Sequence, residues 1–174
     1  MKLEDLPLKI IKFLGPLENS LIEERLIIPT DNTDDLRKIA KDVWLQTIQP
    51  YYRKFGIDAV NGIFNFLVEP LKNANYHGCS TLDNPIKMGV FMTSQALVAT
   101  YNDGGPYFKR QDVKEAYENK IPHPEKHKIE HKDVGFGFGT EIIYDLSDLI
   151  YVETITGTLF TGVSTSKGVF FKNF

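Results

Sequence analysis

Cysteine is nearly missing: Cys79 is the only one in 174 residues, which excludes an internal disulfide. No apolar run reaches the roughly 20 residues that a membrane-spanning helix needs. Nor does the chain show the charged and apolar regions of a secretory leader. A cytoplasmic protein is expected from these absences. A field of one charge is lacking too, because 20 Lys and Arg are scattered among 23 Asp and Glu for a net charge of −3. Without a basic stripe, neither nucleic acid nor an anionic membrane is an expected partner. Internal repeats and low-complexity tracts are also absent.

What is present is enough apolar material for one core, since 42% of the residues are hydrophobic. Residues 1–25 read as an accessory helix or arm, broken at Gly15-Pro16, whose role the sequence does not reveal. Residues 26–174 read as the main domain. Its first strand is expected in Arg25-Leu-Ile-Ile-Pro-Thr30. A helix then carries Leu36, Ile39, Ala40, Val43 and Thr47 at helical spacing and breaks near Pro50. A second helix is expected from about Asp58, with Val60, Ile63, Phe64, Leu67, Val68, Leu71 and Ala74 as its apolar stripe. "IKMGVFMTS" and "QALVATYND" predict an antiparallel hairpin. "LIYVETI", "TLFTGVS" and "GVFFKNF" predict three closing strands. This order predicts an α/β two-layer sandwich, a mixed and mostly antiparallel sheet with helices on one face.

Three motifs could carry chemistry. On the second helix Glu69 and Asn73 stand four apart, so a carboxylate and an amide oxygen project side by side. Such a pair suits a hydrated Mg²⁺ and a proton acceptor, although a solvated helix face has the same pattern. Pro70 interrupts this helix and removes one of its backbone donors. In "YNDGG", Asp103 ends a strand before Gly104 and Gly105, where a carboxylate could accept from an exocyclic amine or simply close a turn. In "GFGFGT", Gly135, Gly137 and Gly139 free backbone N–H groups to surround anionic oxygens, and a helix is expected from near Thr140. The spacing is neither that of a dinucleotide fingerprint nor that of a Walker A loop.

Taken in order, "EPLKNANYHG", "NDGG" and "GFGFGT" resemble the N-box and the two glycine boxes of the GHKL ATPase superfamily, which includes gyrases, ninety-kilodalton chaperones, histidine kinases and mismatch-repair ATPases. The small stand-alone form is most similar to the anti-sigma-factor serine kinases. The resemblance implies a histidine-kinase-like ATPase fold that binds ATP and Mg²⁺. Glu69 would be the catalytic base, Asn73 the Mg²⁺ ligand, and Asp103 the acceptor for the adenine amine, with Gly105 beside it. Gly135, Gly137, Gly139 and Thr140 would contact the phosphates, beneath a lid over about 104–134. A protein partner is implied, and a homodimer is compatible with the arm. Tyr107 stands where a second glycine is common, and Gly168-Val169 replaces a closing Gly-Thr. Two functions therefore follow: a protein serine kinase or slow ATPase, or a non-catalytic nucleotide sensor that binds a partner.

Two further patterns invite other chemistry. His123, His127 and His131 stand four apart and could align for a divalent metal, but their segment is charged throughout and reads better as a solvated face. Cys79 lies two residues after His77, a spacing that rarely gives a thiolate and its base.

Overall fold

The computed structural model describes residues 2–78, 82–121 and 138–173. After a short turn, α1 (Leu8–Leu14) leads to β1 (Leu21–Ile27). Next come α2 (Thr33–Val43), α3 (Gln49–Arg53), β2 (Ile57–Ala59) and α4 (Gly62–His77). The hairpin β3 (Ile86–Met92) and β4 (Ala96–Asn102) precedes α5 (Gln111–Glu118) and α6 (Phe138–Leu146). The strands β5 (Leu149–Glu153), β6 (Thr158–Ser164) and β7 (Phe171–Asn173) close the chain. Five strands form one sheet in the order β1-β3-β4-β6-β5, with every pairing antiparallel; β2 and β7 make a separate antiparallel pair. The architecture is an α+β sandwich, as expected.

Alternation along β3 and β4 explains how the sheet supports two cores. Val90, Met92, Leu97, Ala99 and Tyr101 face the inner layer, where Leu67 and Leu71 of α4 and Ile143 of α6 are buried with them. Phe91, Ala96 and Val98 face the opposite side, where Leu6, Ile10 and Leu14 cover them at helical spacing. The arm is thus the cover of the sheet's second face, with the hydroxyl of Thr93 donating to the Leu14 carbonyl at 2.6 Å. With both faces covered, almost every residue of β3 and β4 is buried.

Local departures from the expected elements have physical causes. Strand β1 begins at Leu21, earlier than the expected Arg25, and takes in two glutamates of low strand propensity. Glu23 is satisfied there by the Thr47 hydroxyl and by Arg25 at 2.6 Å. The chain does not break at Pro50: a π-helical turn, Trp44–Ile48, joins α2 to α3, and the proline lies just after the point where the helix changes from π to α spacing. Residues 57–59 pair with β7 instead of starting a helix, and α4 begins at Gly62. That helix continues through the buried Pro70 to His77. Near the proline, the hydroxyl of Tyr101 donates to the Leu67 carbonyl at 3.1 Å.

The two sheet edges differ. On β5, Val152 N–H donates to Glu118 at 3.1 Å, and its carbonyl accepts from Lys114 at 2.8 Å, so α5 seals that strand. Among the described residues no strand pairs with the other edge of β1.

Candidate functional site

The side-by-side placement of Glu69 and Asn73 follows from their spacing on α4, and α6 packs directly over them. A Cβ added to Gly139 would lie 2.8 Å from Glu69 Oε2 and 3.7 Å from Asn73 Oδ1. A side chain at position 139 would therefore require the end of the Glu69 side chain to move aside. Helix α6 begins at Phe138, earlier than the expected Thr140, so Gly139 and the buried Thr140 belong to the helix and not to a preceding loop. Gly135 and Gly137 lie outside the described residues.

Both α4 side chains have partners that define their state. Lys72 Nζ lies 3.0 Å from each carboxylate oxygen of Glu69, and the Glu69 side chain is only 13% exposed. Asn73 Nδ2 donates to the Tyr117 hydroxyl at 2.8 Å, which leaves Oδ1 as the amide's hard acceptor on the α6 side. Burial pushes the Tyr117 hydroxyl up to about 12, against the lowering effect of the hydrogen bonds with Asn73 and Tyr107, so it is neutral at ordinary pH.

Asp103 follows the last residue of β4 and is fully buried. Its Oδ1 accepts from Gly105 N–H at 2.8 Å, whereas among the described residues its buried Oδ2 has no hydrogen-bond partner. Burial raises the carboxyl above its ordinary value, opposed by the backbone N–H groups of Gly105 and Phe108 and by the Lys109 ammonium. The carboxylate packs against the end of α4: a Cβ on Gly78 would lie 2.5 Å from Asp103 Cβ and would also meet the Ala74 carbonyl. The "HG" that closes the α4 motif thus has a steric reason for its glycine.

His77 and Tyr107 stack with ring centroids 5.2 Å apart and planes at 21°. Tyr107, two residues after Gly105, is buried against the end of α4. Of the residues expected to form a lid, Gln111–Glu118 form α5, whose Val113, Ala116 and Tyr117 are buried. Residues 122–134, with His123, His127 and His131, lie outside the described residues, as does Cys79.

The structure therefore brings Glu69, Asn73, Gly139 and Thr140 together at the α4–α6 contact and sets Asp103 and Gly105 beside the end of α4. Sequence reasoning missed Lys72, although its position three residues after Glu69 on a helix was a usable signal. It also missed Tyr117, 44 residues from the amide it holds, for which no local signal exists. A direct Mg²⁺ ligand needs an oxygen with a free lone pair, and Asn73 Oδ1 meets that requirement with Glu69 close enough to hold a coordinated water. Among the described residues, no three His, Cys, Asp or Glu side chains cluster as a denser metal site would require. No described helix is long and apolar enough to cross a membrane. Compared with known proteins, the chain matches no family model and no curated sequence.

Proposed function

We propose that this protein binds ATP with Mg²⁺ in the manner of a small GHKL-type domain and acts as a cytoplasmic protein serine kinase or slow ATPase that engages a protein partner. The observation that carries the reading is Asp103 Oδ2, an acceptor buried at the end of α4 with no donor among the described residues. A buried carboxylate oxygen is costly unless a hydrogen bond compensates it, and an exocyclic amine supplies one. Support also comes from the first turn of α6, where Gly139 brings backbone donors and a helix N-terminus beside Glu69 and Asn73. Asn73 Oδ1 would hold the Mg²⁺ ion, whose chemistry is to neutralise phosphate charge. Glu69 would accept the proton of a substrate serine or of water.

A second reading, a nucleotide sensor without turnover, is favoured by one contact. Lys72 engages both oxygens of Glu69, so the carboxylate already holds a partner where a substrate hydroxyl would have to approach. Calorimetry with ATP, with and without Mg²⁺, tests what the two readings share. Binding is expected in the whole chain and is expected to be lost in Asp103→Ala; absence of ATP affinity in the wild type removes both. Glu69→Ala then separates them, because only the kinase or ATPase reading requires ADP formation that this variant loses while still binding ATP.

A further inference from the structure

The edge strand β1 runs in unbroken register with β3, from Leu21 opposite Met92 to Ile27 opposite Ile86, so no bulge turns it aside. Neither proline nor lysine interrupts Leu21–Ile27, and two further devices that blunt sheet edges are therefore missing. Among the described residues no strand pairs with its outer side, where backbone donors and acceptors can meet another strand. Both ends of the strand are fixed. Before it, the Tyr51 hydroxyl donates to the Asn19 carbonyl at 2.9 Å. After it, Asn75 of α4 brackets Thr30, accepting from its N–H at 3.1 Å and donating to its carbonyl at 2.8 Å. An edge held in this way gives up little conformational freedom when it pairs.

The side chains indicate which strand fits. Leu21, Ile22 and Leu26 are 36%, 38% and 68% exposed, so both ends of the strand present apolar groups to water. Between them lie Glu23, Glu24 and Arg25. A second copy pairing antiparallel about a two-fold axis sets one residue opposite itself and thereby fixes every other pair. With Glu24 at the axis, Ile22 of each copy stands opposite Leu26 of the other, and Leu21 opposite Ile27. Glu23 then stands opposite Arg25, also twice, and opposite charges attract across the pair. Within the chain Glu23 accepts from Arg25 Nε at 2.6 Å and from the Thr47 hydroxyl. A carboxylate can accept several hydrogen bonds and a guanidinium can donate several, so these contacts are compatible with a second set across the axis. The cost is one pair of Glu24 side chains at the axis, each of which already has a partner in its own chain. Moving the axis by one residue is worse. At Glu23 it sets Arg25 opposite Leu21 and Glu24 opposite Ile22; at Arg25 it sets Glu23 opposite Ile27 and Glu24 opposite Leu26.

We infer that β1 is a dimerisation edge whose occupant is the β1 strand of a second copy of this chain, paired antiparallel about Glu24. Two five-stranded sheets then become one. The pairing involves no nucleotide, so it stands or falls apart from the ATP reading. Seven residues of edge make a small interface, and a transient dimer is expected in place of an obligate one.

Sedimentation equilibrium of the whole chain, from about 1 to about 500 µM, tests it. The wild type is expected to dimerise with a dissociation constant on the order of 100 µM or tighter. Leu26→Lys, at the most exposed of the three apolar positions, is expected to weaken this about tenfold or more. Arg25→Glu and Glu23→Arg are each expected to do the same, because like charges then meet across the axis. Mixed in equal amounts, these two variants set two glutamates of one chain against two arginines of the other, and the mixture is expected to dimerise again. The inference is overturned if the wild type stays monomeric to about 500 µM, if Leu26→Lys or either charge variant alone dimerises as the wild type does, or if the mixture stays monomeric. Circular dichroism shows whether each variant folds. Should a Glu23 variant fail through loss of the Thr47 contact, Leu26→Lys decides together with amide exchange, in which the β1 amides of the wild type must slow as concentration rises.

Discussion

Asp103 is held in a state that water would not favour. Its carboxyl is buried and one oxygen has no donor among the described residues, so its folded pKa lies above its unfolded value. Protonation then favours the folded state: between the unfolded and folded values, stability falls as pH rises, and above the folded value the penalty is complete. Asp103→Asn cannot ionise, so it should abolish this slope. Urea midpoints measured from acidic to neutral pH are expected to show the variant gaining on the wild type as pH rises. A constant difference across that range would mean that Asp103 does not titrate differently on folding. The same residue illustrates what was legible in the sequence. An Asp before two glycines pointed to a strand end and a turn, and both are present. That Oδ2 has no donor depends on packing against Gly78 and the end of α4, which no local pattern encodes.

At the scale of elements, α4 was the most readable, because its apolar residues recur at the helical period. Its burial is nevertheless wider than the expected stripe, with Phe66 and Pro70 also buried, since α4 meets α2, α6 and the sheet. A periodicity argument finds one apolar face; it does not count how many neighbours surround the helix. The arm shows the converse. Its spacing was visible, but the surface it covers comes from strands more than seventy residues later, such as the Thr93 contact to Leu14. Ile10, fully buried, anchors α1 on the outer face. Ile10→Ala is expected to cost roughly 2–5 kcal/mol of unfolding free energy in chemical denaturation. A loss within about 0.5 kcal/mol would match a surface position and would detach α1 from the fold.

For the whole molecule, one sheet carries two cores, and alternate residues of β3 and β4 belong to different ones. Loosening either core disturbs strands that the other requires. Trp44 reports the inner layer, where its Nε1–H donates to the Ala59 carbonyl at 2.7 Å. In Ile10→Ala, on the opposite face, the Trp44 fluorescence transition is therefore expected to shift to lower denaturant by the same amount as the circular-dichroism transition. Two separated transitions would show that the layers unfold independently. Turnover, if present, can be assayed only within the window where that single transition leaves the chain folded.

The unequal sheet edges bear on assembly. Since Lys114 and Glu118 occupy the backbone groups of Val152, among the described residues it is the β1 side of the five-stranded sheet that remains open to a neighbouring strand. A sheet extendable at both ends can propagate head to tail into a fibre, whereas one with a single receptive end is used up when two copies meet around a two-fold axis. Strand addition between copies of this chain would thus terminate itself at a pair, so the helix that closes one edge also limits how far the sheet can polymerise.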